Sequence, residues 1–472
     1  MKSLNKVVTV GAVAALAVTM TACSSDDSPE PSTSATDATT SSATADAMEP
    51  VTIKVVSLIP GSDQAAFDAF DAQVAQFEGL YPNITVESEE YEWTGPTFAA
   101  QLAGGTLPDV YTIPFTDGLT LLANGQLANI TSQVSELPYA NDFNPNVLAQ
   151  VQDANGDVFG LPTAAYGSAL HYNRALFTEA GLDPDQPPTT WDEVREDAKA
   201  ISDKTGNTGF AQMAASNTGG WQLTVATYAR GGRMQTEDAD GKIAVTADND
   251  ATKAALDYFH QLRWEDDSMG SDFLLDWGTI NQAFGAGQVG MYTSGSDIYT
   301  NLIQAQGMNP DDYGATVIPL EGDDSGTLGG GTIAAVNVKA SPEVQNAAVK
   351  WIDFYYMQKL VDQDAAVLDA KTLSESDQAV GVPALPIFSK ELFDQSREWV
   401  ADYINVDQDH VSYFNDAIFD QAVVPEPKAH TQELYAALDT VVQSVLTDEN
   451  ADTDALLKDV NVQIQALIDA DA

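Results

Sequence analysis

The sequence of 472 residues is poor in cysteine, in basic residues and in histidine. A single cysteine excludes an intramolecular disulfide, so buried apolar area must hold the folded part together. Twenty Lys and Arg against 70 Asp and Glu give a formal net charge of −50, which argues against nucleic acid as a partner. The four histidines lack the spacing of metal ligands, so neither a metal site nor a cofactor is expected.

The one cysteine, Cys23, follows a segment with the three parts of a secretory signal. Two lysines supply the positive start, residues 7–18 form the apolar stretch, and Thr21 and Ala22 are the small residues before a cleavage site. Such an ending resembles the lipoprotein box of bacteria, in which the cysteine sulfur is acylated. We therefore predict that residues 1–22 are a lipoprotein signal and that Cys23 carries the lipid. The alternative is an ordinary secretion signal with an incidental cysteine.

A segment of low complexity separates this signal from the rest of the chain. Residues 24–50 consist largely of Ser, Thr, Ala, Asp and Pro and contain no aromatic residue. Such a composition cannot bury enough apolar surface to offset the entropy of ordering. Together with the acylated cysteine, residues 23–50 are therefore predicted to form a disordered tether.

The remaining body of about 420 residues exceeds the size at which single cores stop growing, so we expect at least two domains. Its first part alternates strands and helices, with a helix predicted over residues 119–127. This alternation indicates an α/β lobe with a largely parallel sheet. Ligands of such sheets bind beyond the carboxyl ends of the strands, which draws attention to residues 59–63, 91–94 and 112–117.

The strongest family resemblance lies in residues 155–193, which contain the runs NGDVFGLP, LHYNRALF, AGLD and PTTWDE. This stretch resembles the family 1 extracellular solute-binding proteins of ABC importers, the group of the maltose- and oligosaccharide-binding proteins. Weaker matches follow in family order at residues 283–291, 329–331, 341–351 and 381–383. The resemblance covers nearly all of the chain after the tether.

The resemblance implies a type II periplasmic-binding-protein-like fold with two α/β lobes, a multi-strand hinge and a ligand in the cleft. Lobe I would comprise residues 51–163 and 316–375, and lobe II residues 164–315 and 376–472. The protein would bind an extracellular carbohydrate, an oligosaccharide, and deliver it to permease subunits in the membrane. It would act as a monomer, anchored by lipid to the extracellular face of the cell membrane.

Two other functions stay open at this point. The same transport role could serve a non-sugar solute. An extracellular glycoside hydrolase would need two carboxylates about 5–10 Å apart, and no local motif singles out such a pair among the 70 acidic residues. We therefore predict a binding protein and not an enzyme.

Aromatic residues indicate where a sugar would bind. Sugars present apolar C–H faces and hydroxyl edges, so their sites combine aromatic rings with polar acceptors and donors. Of the seven tryptophans, Trp93, Trp221 and Trp277 lie in loop-like settings. These three are the candidates for stacking on the ligand, and packing in the core is the alternative for each.

The resemblance implies five further ligand contacts. Tyr166 would face the cleft just after the chain first crosses between the lobes. Ser296 and Asp297 end a strand where the family often contacts ligand, and Asp297 replaces a tryptophan of many relatives. Asp117 matches a loop that frequently donates an acidic contact, although it could instead be a helix N-cap. Gly330 lies in the matched glycine run.

Overall fold

The structure is a computed structural model that describes residues 49–471 except residues 63, 92, 94, 239 and 240. The predicted signal over residues 1–22, the lipidation at Cys23 and the tether up to residue 48 lie outside the described residues. Within the described part, no helix combines the length and the apolar character that crossing a bilayer requires.

Eleven strands are formed by the described residues. They are β1 (Val51–Val56), β2 (Ile84–Glu89), β3 (Val110–Pro114), β4 (Leu161–Asn173), β5 (Thr208–Phe210), β6 (Gln235–Glu237), β7 (Ile243–Val245), β8 (Val289–Gly295), β9 (Tyr313–Val317), β10 (Thr327–Val336) and β11 (Val423–Val424).

Seventeen α-helices accompany the strands in the same part of the chain. They are α1 (Gln64–Leu80), α2 (Gly95–Gly104), α3 (Phe115–Ala123), α4 (Thr131–Ser135), α5 (Pro145–Leu148), α6 (Arg174–Ala180), α7 (Trp191–Thr205), α8 (Thr218–Tyr228), α9 (Asp250–His260), α10 (Trp277–Gly285), α11 (Pro342–Ile352), α12 (Gln358–Val361), α13 (Gln363–Glu375), α14 (Lys390–Trp399), α15 (Ser412–Ala417), α16 (Thr431–Thr447) and α17 (Thr453–Asp471).

Nine strands form one mixed sheet in the order β2, β1, β3, β10, β4, β8, β5, with β9 beside β4 and β11 beside β10. β1 pairs in parallel with β2 and β3, as the alternation of strands and helices predicts. β10 is antiparallel to both β3 and β4. The first part of the long strand β4 pairs with β10, and its later part pairs with β8 and β9. β4 therefore connects the two ends of the sheet.

Separate hydrophobic cores flank the two ends of this sheet. One core packs β1 and β3 against α1 and α11, with Trp351 fully buried and stacked on Tyr355 at 5.1 Å between ring centroids. A second core packs the later part of β4 against α7, α8, α9 and α16, and a third surrounds Tyr292. Leu385 and Ile387 pack with the first core. The division into lobes at the boundaries given above stays a prediction.

Several local features follow from the sequence of neighbouring residues. Thr190 and Glu193 form a capping box at the start of α7, each bonding the backbone of the other. Gly181 ends α6 in the left-handed conformation with φ 84°, which a residue without a side chain adopts at no steric cost. The acidic run that begins at Glu237 connects β6 and β7, which pair as an antiparallel hairpin. These features depend on neighbouring residues alone, and the local sequence specifies them.

Candidate functional site

Three hydrogen-bond donors converge on the carboxylate of Glu426. Tyr166 Oη donates to Glu426 Oε1 at 3.3 Å, and Tyr435 Oη donates to Glu426 Oε2 at 3.1 Å. The indole of Trp221 lies near both Glu426 and Tyr166 and lowers the pKa of each. We call Tyr166, Trp221, Glu426 and Tyr435 the Glu426 cluster. Burial raises the pKa of Glu426, and the three neighbouring donors oppose this rise because they stabilise the charged form.

Two glycines determine the position of the Tyr166 ring. Tyr166 on β4 is the direct partner of Gly330 on β10. A Cβ atom at Gly330 would lie 2.5 Å from Tyr166 Oη and 2.7 Å from its Cε1 and Cζ atoms. On the other side, a Cβ at Gly295 would lie 3.4 Å from Tyr166 Cδ2. The ring thus lies across the backbone of β10, which the glycine at position 330 alone allows.

Asp297 lies beside the Tyr166 ring and is accessible to solvent. It follows β8 in the 3₁₀ turn Ser296–Ile298. Its Oδ1 atom and the ring both lie close to Gly295, and the charge of Asp297 contributes to raising the pKa of Tyr166 after burial and Glu426. The side chain is exposed, yet the protein surrounds its carboxylate closely enough that desolvation raises the pKa of Asp297. Ser296 is buried, and its Oγ has no hydrogen-bond partner among the described residues.

A second group of neighbouring side chains consists of Trp93, Asp117 and Tyr91. Burial raises the pKa of Asp117, and a hydrogen bond from Trp93 opposes this rise. Burial and the charge of Asp117 raise the pKa of Tyr91 to about 12. The Trp93 side chain is 37% exposed, so it can reach a ligand in solution while it holds Asp117.

The structure corrects the alternative given for Asp117. The helix predicted over residues 119–127 is α3, which begins at Phe115 directly after β3. Its N-cap is Pro114, and no side chain caps it. Asp117 therefore lies in the first turn of the helix and is not its N-cap, and a carboxylate there interacts favourably with the helix dipole.

Two of the three tryptophans predicted in loops lie in helices. Trp277 is the first residue of α10, where Asp276 and Thr279 form a capping box. Its side chain is 44% exposed, and among the described residues no hydrogen bond or ring contact joins it to Tyr166 or Trp93. Trp277 therefore belongs to neither group.

Trp221 lies in α8, in a turn that local sequence does not mark as helical. Asn217, at φ 68°, precedes the helix and makes no side-chain cap. Asp439 on α16 caps it instead, accepting the N–H of Asn217 at 2.7 Å and that of Gly220 at 2.8 Å. The glycines before Trp221 suggest a loop in the sequence, because the cap from Asp439 comes from a distant part of the chain and leaves no local signal.

Glu426 and Tyr435 were not predicted from the sequence. β11 pairs in parallel with β10, joining Leu328 to Val424, and this pairing brings Glu426 close to the glycine run. Prolines flank Glu426 on both sides and fix its backbone. That Pro-Glu-Pro run is the one local signal that could have drawn attention to this residue.

The arrangement suits recognition by ring faces and carboxylates. Among the described residues, no group of three His, Cys, Asp or Glu side chains could hold a metal ion. Exposed Trp93 and the half-buried rings of Tyr166 and Trp221 offer apolar surface, whereas Asp117 and Asp297 offer acceptors. Tyr166 and Trp221 also pack against the hydrophobic cores, so the core packing given as the alternative for Trp221 holds in part. Of the predicted residues, Tyr166, Trp221, Asp297 and Gly330 lie together, Ser296 adjoins them, and Trp93 and Asp117 form a second pair.

Comparison with known proteins finds relatives among curated proteins and among solved structures. Among curated proteins, the sn-glycerol-3-phosphate-binding periplasmic protein UgpB of Salmonella typhimurium is 24% identical over 296 residues, which cover 58% of this chain and 63% of UgpB. The chain thus spans less than two thirds of the length of this relative.

Solved structures share the fold over most of this chain. The cyclic alpha-maltosyl-1,6-maltose binding protein from Arthrobacter globiformis has a TM-score of 0.66 and 21% identity, covering 89% of this chain and 99% of that one. UgpB from Mycobacterium tuberculosis, in complex with glycerophosphocholine, has a TM-score of 0.63 and 18% identity, covering 89% and 98%. The predicted α/β fold of the periplasmic-binding-protein type is confirmed.

The family model of the bacterial extracellular solute-binding proteins matches residues 61–359, more than half of the chain. This family consists of binding proteins, in agreement with the prediction that the chain is not an enzyme. The resemblance found in the sequence is thereby confirmed, and the chain belongs to the bacterial extracellular solute-binding protein family.

Proposed function

We propose that this protein is the solute-binding component of an ABC importer and that its solute is an extracellular oligosaccharide. The Glu426 cluster carries the proposal, because it holds two aromatic rings beside the accessible carboxylate of Asp297. Trp93 and Asp117 supply a further ring and acceptor. The two solved structures named above are those of a cyclic maltosyl-maltose binding protein and of a protein in complex with glycerophosphocholine. The fold therefore does not fix the class of solute, and the side chains of the site have to distinguish a sugar from a phosphate compound.

A ring whose polar edge is already hydrogen-bonded can meet a sugar through its exposed apolar surface. Glu426 accepts the hydroxyl of Tyr166, so this ring needs no ligand to satisfy its donor. Stacking of an aromatic ring on an apolar face contributes about 0.5–1.5 kcal/mol beyond the area that it buries. Asp297 can accept hydrogen bonds from sugar hydroxyls. Because this acceptor is charged, each such bond contributes about 1.5–3 kcal/mol to the binding free energy.

The charge of the same residues argues against a phosphorylated solute such as the one in the name of UgpB. Phosphate recognition relies on arginine forks, and here two carboxylates flank Tyr166. None of the six arginines forms a hydrogen bond or ion pair with Asp117, Asp297 or Glu426. They contact other groups instead: Asp185 (Arg174), Asp266 (Arg195), Glu321 (Arg230), Asp324 O (Arg233), Asp267 (Arg263) and Val382 O (Arg397).

Bending at the strands beside the site would couple solute capture to transport. β4 and β10 run through the centre of the sheet and carry Tyr166 and Gly330. Hinge closure of the two predicted lobes would bury the solute between the Glu426 cluster and the pair of Trp93 and Asp117. The closed form would then dock on permease subunits, while lipid at Cys23 keeps the protein at the extracellular face of the membrane.

Calorimetric titration of the purified protein tests the solute class. We expect heat and a change in tryptophan fluorescence with a di- to tetrasaccharide at micromolar or tighter affinity, and none with sn-glycerol 3-phosphate. Heat from sn-glycerol 3-phosphate and from no saccharide would overturn the carbohydrate proposal while sparing the transport role. Binding of neither class, nor of any amino acid or polyamine, would count against the transport role as well.

A further inference from the structure

A cavity of about 600 Å³ lies beside the Glu426 cluster and is lined mostly by residues outside it. One wall is the part of β4 from Thr163 to Tyr166, together with Gly331 and Thr332 of β10. The other walls are α12, α13, α14 and the segment of residues 379–388. The cavity shares Tyr166 and Asp297 with the proposed solute site. None of the other proposed solute contacts lines it: Trp93, Asp117, Trp221, Trp277, Ser296, Gly330, Glu426 or Tyr435.

Most of the lining is apolar. α12 and α13 contribute leucine and alanine side chains, and the segment before α14 contributes aliphatic and aromatic ones. The largest apolar side chains are Leu360, Leu373, Leu385, Ile387, Phe388 and Phe393. A cavity of this volume falls within the range of pockets that hold small organic ligands, about 300–1,000 Å³.

One cation, Arg397 of α14, lies in this apolar wall without a counter-ion. Its Nη2 donates to Val382 O at 2.8 Å, and its guanidinium carbon lies 4.9 Å from the centroid of the Phe393 ring. Among the described residues, no carboxylate lies within ion-pairing distance of it and no other acceptor receives its N–H groups. Burial lowers the pKa of Arg397 to about 10, so it stays charged at neutral pH.

Arg397 is partly buried, and an arginine carries five N–H donors. The carbonyl of Val382 engages only part of them, which leaves the other donors available to a ligand in the cavity. Gly381 makes room for the group, since a Cβ there would lie 3.2 Å from Arg397 Nη1. The other charged side chains that line the cavity are Lys359, Asp297 and Asp369, and none of them pairs with Arg397.

We propose that this cavity binds an amphipathic carboxylate, a medium-chain alkyl acid, whose carboxylate pairs with Arg397 and whose chain lies along α12, α13 and residues 385–388. A carboxylate accepts two parallel N–H bonds from a guanidinium group, and the alkyl chain matches the apolar walls. This inference goes beyond the proposed function, because the residues that would bind the acid are not those that would bind the saccharide.

Titration of the purified protein with sodium decanoate tests the proposal, with 1-decanol and decylammonium as probes of equal chain length and different charge. We expect decanoate to bind about tenfold or more tightly than either probe. Arg397→Met keeps an apolar side chain beside Phe393 and removes the charge, and it should weaken decanoate binding by at least about tenfold.

Arg263→Met is the matched control. Arg263 also stacks on a phenylalanine, at 4.3 Å from the Phe273 centroid, and also donates to a backbone carbonyl, that of Leu446, but it does not line the cavity. Decanoate affinity should be unchanged in this variant. An equal loss of decanoate affinity in both arginine variants would show that only the net charge of the protein matters, and it would overturn the proposal.

Two variants separate this cavity from the solute site. Ala370 lines the cavity and is buried, so Ala370→Trp should block decanoate while circular dichroism reports whether the fold is kept. Arg397→Met, in turn, should leave saccharide binding unchanged. Decanoate binding that survives both Arg397→Met and Ala370→Trp would overturn the proposal, as would the absence of binding to the unmodified protein. Loss of saccharide binding in Arg397→Met would overturn the separation of the two sites.

Discussion

Replacing Gly330 by alanine is the sharpest test of how the site is built. The added Cβ would lie 2.5 Å from Tyr166 Oη and 2.7 Å from two ring carbons, well inside van der Waals contact. Displacing the ring would strain the hydrogen bond from its hydroxyl to Glu426. The substitution must therefore displace Tyr166 or separate β10 from β4.

The expected cost follows from these contacts. Overpacking of a well-filled site costs about 1–3 kcal/mol. A hydrogen bond to a charged group contributes about 1.5–3 kcal/mol, and the bond from Tyr166 to Glu426 is already long at 3.3 Å. Because displacement of the ring relieves part of the clash, we expect Gly330→Ala to lower the free energy of unfolding by about 2–4 kcal/mol. Saccharide affinity should fall by about tenfold or more, since the ring no longer offers the same face.

Urea denaturation measures the stability change, and calorimetric titration measures the affinity change. Gly79→Ala is the control. Gly79 lies exposed at the C-terminal end of α1, with no atom within 4 Å of a Cβ placed there, so the same substitution should not destabilise the protein. Unchanged stability and saccharide affinity in Gly330→Ala would refute the packing of Tyr166 against β10.

Three further predictions concern other parts of the protein. Trp221→Ala should weaken saccharide binding by about 1 kcal/mol or more in calorimetric titration, whereas Trp264→Ala should not; equal affinity in both would return Trp221 to a purely structural role. Burial and two neighbouring glutamates raise the pKa of Asp197 to about 6, so its contribution to stability is present near pH 4 and is lost as the pH rises through 6. Asp197→Asn should therefore raise the free energy of unfolding at pH 8 by about 1 kcal/mol, after allowance for its partial exposure, and change it little at pH 4. A gain for Asp197→Asn that persists at pH 4 would contradict the assigned cause. Cys23→Ala should release the protein into the medium, and retention in the membrane fraction would contradict lipid anchoring.

Helix ends and turns were predictable where the hydrogen-bond partners are close in sequence. The capping box of Thr190 and Glu193 and the left-handed Gly181 follow from residues within one helical turn. The start of α8 was not predictable, because Asp439 caps it from more than 200 residues away. Without that cap, the glycines before Trp221 favour a loop over a helix.

The start of α3 shows a different limit. Its first residues follow β3 without a connecting loop and without a side-chain cap, so no local signal marks the boundary at Phe115. The prediction placed the helix four residues late and left the role of Asp117 open. Packing beside Tyr91 and Trp93 decides the environment of this carboxylate.

By itself, the sequence determined the family, the alternation of strands and helices in the first part of the body, and which aromatic residues were candidates for the site. Tertiary structure decided which of those residues meet. Glu426 reaches Tyr166 across 260 residues because β11 pairs with β10 beside the glycine run. In the part of the chain that the structure describes, no hydrogen bond or ring contact joins Trp277 to either residue. Strand register fixes such encounters, and register depends on the packing of the whole sheet and not on any short segment of the chain.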